Sequence, residues 1–206
     1  MKPYPAIALI ELSNIAAGIY VGDAMLKKAP VALLKSGTVS RGKYLVLVGG
    51  TVAAVDEAYH EGMRVARGDC LDSLLLPDVH QRVFTAVMGE AVAVRAESLG
   101  ILETESIASN IEAADAAIKG ALVDILQMRL GDGYGGKGYT LFNGALEEVQ
   151  AAIDIACERL DRKEIPARVQ IIANLTEGIV EQLNGSLRFR EAKIVYPPGG
   201  EQDVTG

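Results

Sequence analysis

The sequence has little cysteine, little histidine and no runs of basic residues, and each shortage removes a class of function. Two cysteines in 206 residues, Cys70 and Cys157, are too few and too unpatterned for a disulfide framework or a thiolate zinc site, as expected in a reducing cytoplasm. The two histidines, His60 and His80, stand in unlike surroundings and form no recognisable metal-ligand pattern. A net charge of -7 without Lys/Arg clusters argues against nucleic acid or an anionic membrane as the main partner. Long apolar runs are lacking as well. Ile7 to Ile10 is interrupted by Glu11 and Asn14, and neither a basic leader nor a span of about 20 apolar residues exists, so no signal peptide or membrane helix is expected. The patterns G-x-S-x-G and H-E-x-x-H and a Cys/His nucleophile pair are absent, and the residues therefore predict no enzyme, no catalytic residue, no metal and no cofactor.

What is present is 50% hydrophobic residues, ample for a core, and a turn that the chain writes twice. Ser36 to Tyr44 reads S-G-T-V-S-R-G-K-Y, and Leu130 to Tyr139 reads L-G-D-G-Y-G-G-K-G-Y. Each follows an apolar β-like run and precedes another, so each reads as the connection of a β-hairpin. Both fit G-x-x-x-x-G-K, and Gly131, Gly133 and Gly136 also satisfy G-x-G-x-x-G, which raises phosphate binding. Two physical requirements are unmet. Tyr44 and Gly138 occupy the place where a P-loop needs a hydroxyl, and a strand follows each turn where a phosphate site needs a helix N-terminus.

In chain order, Ala6 to Leu12 reads as a strand, and Ile15, Ile19, Gly22 and Leu26 recur at helical spacing as one buried face ended by Pro30. Val31 to Lys35 and Tyr44 to Val48 flank the first turn. A second helix follows with inner face Val52, Val55, Tyr59, Gly62, Met63 and Ala66, then a strand over Leu71 to Leu76 and a short helix over Asp78 to Met88. The order β-α-β-β-α-β is the split βαβ pattern. It then repeats: Glu11, Ile15, Ile19, Asp23, Lys27 and Val31 recur 92 residues later as Glu103, Ile107, Ile111, Asp115, Lys119 and Val123. After the turn the offset is 94, matching Leu146, Val149, Ile153, Ala156, Cys157 and Leu160 to the inner face of the second helix. Ala167 to Asn174 and Thr176 to Leu183 close the second unit. The prediction is an α+β chain of two tandem ferredoxin-like domains, 5–90 and 97–185, joined near Gly89 to Glu97, with a tail over 186–206 made loose by Pro197-Pro198-Gly199-Gly200.

Cys157 fills a helix-core slot and Cys70 opens a strand, so both read as small buried hydrophobes. His60 reads as solvated, and His80 as a capping or packing residue. Glu11 and Glu103, each near the end of an apolar strand, favour structural hydrogen bonding over acid/base work, because buried carboxylates need partners. Asp23 with Lys27, and Asp115 with Lys119, are spaced i,i+4 and support their helices by about 0.2–0.5 kcal/mol per pair.

The strings I-E-L-x-x-I-A (Ile10 to Ala16), G-D-A-M-L-K-K-A-P-V (Gly22 to Val31) and G-K-Y-L-V-L-V-G-G-x-V-A-A-V (Gly42 to Val55), with second-copy counterparts E-T-E-S-I-A, A-D-A-A-I-K and G-K-G-Y-T-L-F-N-G, resemble bacterial microcompartment shell proteins of the tandem-domain, trimer-forming type. The likeness runs from about Ile7 to Asn184 and leans towards the tandem shell protein of propanediol-utilisation compartments, including its unpermuted strand order. The resemblance implies a structural protein in the shell of a cytoplasmic microcompartment. Its homotrimer presents six domains as a pseudo-hexagonal tile, beside neighbouring shell proteins in a hexagonal sheet. The duplicated turns would surround a central pore for small polar solutes, lined by Ser40, Arg41 and Gly42 from one copy and Asp132, Gly133, Tyr134 and Gly135 from the other. Lys27 and Lys119 match the family's tile-edge lysines. The propanediol relative carries an iron–sulfur-binding cysteine in the first turn where this chain has Ser40, and a hydroxyl is a poor cluster ligand, so no cluster is expected. Two other readings of the residues are a trimeric ferredoxin-like nucleotide-binding regulator, motivated by the Gly-Lys turns, and a small enzyme using Glu11 or Glu103.

Overall fold

The computed structural model describes residues 4–95 and 97–196. The first unit runs β1 (Ala6–Leu12), α1 (Ile15–Lys28), β2 (Ala32–Thr38), β3 (Tyr44–Gly50), α2 (Val52–Ala66), β4 (Cys70–Leu76) and α3 (Gln81–Met88). The second runs β5 (Ser98–Thr104), α4 (Ile107–Gly120), β6 (Asp124–Leu130), β7 (Gly138–Gly144), α5 (Leu146–Asp161), β8 (Ala167–Ile172) and α6 (Glu177–Asn184). Each unit is a four-stranded antiparallel sheet, in the orders β2-β3-β1-β4 and β6-β7-β5-β8, so the split βαβ is present twice. Both Gly-Lys turns are hairpin connections, joining β2 to β3 and β6 to β7.

The central strand β1 is buried along its whole length because both faces of its sheet are covered. Ala6, Ala8, Ile10 and Leu12 join Val46, Val48, Val21, Met25 and Val55 under α1 and α2. On the other face Ile7 and Leu9 join a cluster with Leu47, Leu74, Val83 and Val87 that continues into the second unit, where α3 lies chiefly against β6. Close helix approach needs Gly62, where an added Cβ would stand 2.6 Å from Ile10 Cδ1. Helix starts follow their caps: Asn14 and Ser106 side chains accept the N–H groups of Ala17 and Ser109 at 2.9 and 3.1 Å. His80 caps α3, its ring accepting from Arg82 N at 3.3 Å, and α3 therefore begins at Gln81 rather than Asp78.

One expectation fails in α1. Its buried face is Gly18, Val21, Gly22 and Met25, whereas Ile15, Ile19 and Leu26 are 45%, 59% and 40% exposed. Gly22 is buried as expected, but the stripe of Ile15, Ile19 and Leu26 points away from its own sheet. In the second copy the matching Ile107 and Ile111 are fully buried, since that stripe of α4 lies on the first domain. A smaller difference is Val52, expected on the inner face of α2 but 48% exposed, where Ala58 packs inward instead. The Pro197 to Gly200 part of the expected tail lies outside the described residues.

Candidate functional site

The two repeated turns lie side by side. Gly133 N donates to Ser40 Oγ at 3.0 Å, and Lys43 Nζ donates to the carbonyl oxygens of Gly136 and Glu105 at 3.0 and 3.1 Å. Arg41, Gly42, Gly131, Gly133, Gly135 and Gly136 all take positive φ, and the N–H groups of Gly131 and Gly136 close the second turn on the carbonyl oxygens of Lys137 and Gly131 at 2.9 and 3.2 Å. Gly42, Gly133 and Gly135 are exposed with open space around them. Gly131 is the opposite case, since an added Cβ would stand 2.6 Å from Ile107 Cδ1.

Among the expected pore residues, Ser40 and Gly133 are thus in contact. Arg41 is 63% exposed and faces Glu105 at 3.5 Å, and Asp132 is exposed. Tyr134 turns back, its ring edge-on to Tyr139 with centroids 5.3 Å apart. It lines a cleft between the domains together with Lys35, Arg129 and Arg188, where burial lowers the pKa of the Lys35 ammonium.

The lysines of the Gly-Lys turns are already committed. Lys43 Nζ meets Glu11 Oε1 at 2.6 Å, with both side chains nearly buried, and Lys137 Nζ meets Glu103 at 2.7 Å. Strands β3 and β7 follow the turns directly, so neither turn offers a helix N-terminus and a free lysine to a phosphate, and the nucleotide-regulator reading gains nothing from the geometry.

Glu11 does a second job. Its Oε2 accepts from Ile107 N at 2.9 Å and Ala108 N at 3.4 Å, satisfying first-turn N–H groups of α4 in the other domain. Next to it, Asp72 accepts from Ser109 N at 3.1 Å and from the hydroxyls of Ser106 and Ser109, and pairs with Lys163 at 3.2 Å. Lys163 also meets Glu112 at 2.8 Å. Burial pushes the Asp72 carboxyl up, but the two serine hydrogen bonds and the Lys163 charge outweigh it and hold the group below its ordinary range. For Lys163, burial pulls downward and the Glu112 hydrogen bond and Asp72 charge more than compensate, leaving it raised. Sequence reasoning missed Asp72 and Lys163. The signal for Glu11 was its repetition at Glu103, but Asp72 corresponds to Arg168 and left no repeat to find.

The expected edge lysines differ in setting. Lys27 is 74% exposed and meets Asp23 at 2.5 Å. Lys119 meets Asp115 at 2.6 Å and also donates to the Asp78 carbonyl, while Asp115 accepts from His80 N at 2.8 Å. Cys70 and Cys157 are half-buried, and burial raises both thiols above their ordinary pKa, so neither is an activated thiolate. His60 faces Asp56 at 3.5 Å in solvent. No helix among the described residues is long and apolar enough to cross a membrane.

The BMC domain matches the chain twice, over residues 6–79 and 98–175. The bacterial microcompartment shell protein PduT of Citrobacter freundii is 37% identical over 178 residues, covering 86% of this chain and 97% of that protein. The carboxysome assembly protein CcmO of Synechocystis is 28% identical, covering 86% and 64% respectively. Among solved structures, a microcompartments protein from Desulfitobacterium hafniense superposes with a TM-score of 0.76 at 36% identity, covering 85% of this chain and 98% of that one. The fused permuted hexameric shell protein of the RMM microcompartment shares the fold, with a TM-score of 0.56 at 24% identity over 75% of this chain and 81% of its own. These relatives are shell and assembly proteins, in agreement with the non-enzymatic reading of the residues. With two such domains in tandem and a shell protein aligned along nearly its full length, the chain belongs to the BMC domain family, as a tandem-domain shell protein of a bacterial microcompartment.

Proposed function

We propose that three copies of the chain close into a pseudo-hexagonal tile of six shell domains, 5–90 and 97–185 in alternation, with a central pore for small polar solutes. The observation that carries this is the Ser40 Oγ to Gly133 N contact, which supports one continuous rim made by the two turns of a chain. Threefold closure would then set three copies of each turn around the axis. Ser40, Arg41 and Gly42 alternate there with Asp132, Gly133, Tyr134 and Gly135. The exposed turn backbone at Gly135 supplies polar groups, and Arg41 and Asp132 supply rings of charge, which select small polar solutes over apolar ones. Lys27 and Lys119 are assigned to the tile edge, where neighbouring shell proteins extend the layer around a compartment in the cytoplasm. Electron microscopy of concentrated purified protein tests this reading. It is expected to reveal hexagonal sheets or trimers with a central hole, and dispersed monomers would sink it.

A further inference from the structure

The two domains of one chain meet through a surface whose counterparts stand open at either end of the same chain. In the closed junction, β1 and β4 present Glu11 and Asp72, side by side in register, to the first turn of α4. In the second domain β5 and β8 bring Glu103 and Arg168 into the same register, with no helix laid over them. Glu103 has a side chain 36% exposed where that of Glu11 is 1% exposed. Arg168 is exposed and makes no ion pair among the described residues. The missing helix has the character of α1. Its Ile15 and Ile19 are uncovered where the matching Ile107 and Ile111 are buried, and Val169 and Ile172 of β8 are uncovered too. The N–H groups of Ile15 and Ala16, counterparts of the two that Glu11 binds, have no acceptor among the described residues.

The charges decide which surface takes which. In the closed junction the sheet edge carries the acid, Asp72, and the loop beyond α5 carries the base, Lys163. At the open surfaces the sheet edge carries a base, Arg168. The loop beyond α2, three residues past Ala66 as Lys163 is three past its match Leu160, carries an acid, Asp69. Asp69 already lies at the start of α1, where it accepts from Asn14 Nδ2 at 2.8 Å. Both signs are reversed together.

We propose that Arg168 of one copy pairs with Asp69 of the next, while Glu103 caps the next copy's α1 as Glu11 caps α4. Asp72 and Lys163 are already paired inside each chain, so the two surfaces left open are those of Arg168 and Asp69, and their opposite charges make them complementary. This rests on the homotrimer proposed above and adds the surface that joins its copies.

Sedimentation of the full-length chain over a dilution series tests the pair. If the wild-type chain is monomeric throughout, the trimer reading itself fails, separately from this one. Given a wild-type trimer, Arg168→Glu is expected to raise the dissociation constant by about tenfold or more, Arg168→Lys by far less, and Arg168→Glu with Asp69→Arg to return it close to wild type. Arg168 is exposed and makes no ion pair among the described residues of a single chain, so Arg168→Glu is expected to fold by itself, which its circular dichroism would verify. A dissociation constant for Arg168→Glu within about twofold of wild type overturns the proposal. So does a folded double variant as weak as the single one. Should the double variant not fold, the difference between Arg168→Glu and Arg168→Lys decides: a clear gap supports the pair and equal weakening overturns it.

Discussion

The hydroxyl of Ser40 accepts the backbone N–H of Gly133 at 3.0 Å, tying together two turns that lie 93 residues apart in the chain. The serine is held by the other turn of its own chain, so a bulky replacement projects from a fixed rim instead of folding away. For Ser40→Phe the expected outcome is an intact trimer with slower solute entry, measured on reconstituted shells. The lost hydrogen bond costs about 0.5–1.5 kcal/mol, visible as a slightly lower melting temperature. Unchanged permeability would remove Ser40 from the pore.

Glu11 and Glu103 are sequence equivalents in unequal surroundings, and their removal should cost unequal amounts. Glu11→Ala leaves Lys43 nearly buried without its carboxylate and uncaps α4, which is expected to cost about 3–5 kcal/mol in denaturant titration. Glu103→Ala acts on a pair that is about one-third exposed and should change the folding of a single chain by about 0–1 kcal/mol, while weakening trimer formation. Equal costs for the two would contradict the asymmetry of the junctions.

The junction has a defined pH window. The Asp72 carboxyl has a lower pKa folded than unfolded, so its contribution is complete above the ordinary value of 3.8 and is lost as pH falls through the folded value. Lys163 is raised, so its contribution is complete below 10.5 and is lost as pH rises through its folded value. The stability gap between wild type and Asp72→Asn should therefore be constant near neutrality and shrink below about pH 4, followed by thermal melts across an acid series. A gap unchanged in acid would remove Asp72 from the junction's charge balance.

Lys27 gives the cleaner test of the tile edge, because its side chain is exposed and its partner, Asp23, is on its own helix. Lys27→Ala should leave trimers intact with an unchanged melting temperature, and reduce sheet formation in electron micrographs. Lys119→Ala should do the same and also loosen the domain junction, because Lys119 donates to Asp78 O. Sheets surviving the double change would refute the edge assignment.

The sheets, both turns and the duplication were legible because each rests on local pattern: Ala6 to Leu12 as an apolar run, glycines at the turns, and identical residues at one offset. The orientation of α1 was not legible. Gly18, Val21 and Met25 form one apolar stripe and Ile15, Ile19 and Leu26 another, and nothing local says which meets its own sheet. Asp72 and Lys163 escaped notice for a different reason. Comparing repeats finds identity, whereas Arg168 and Asp69 at the matching places are opposite in sign, a relation that means something only once two surfaces face each other. Ser40 and Tyr134 both stand in the repeated turns, and only a folded chain distinguishes the serine bonded to the opposite turn from the tyrosine leaning on Tyr139.

Whether three chains close one ring is read by native mass spectrometry of the purified protein. A single dominant species of about 65 kDa is expected, three times the 21.8 kDa of one chain. A persistent monomer, or a ladder of dimers and tetramers with no preference for three, would contradict it.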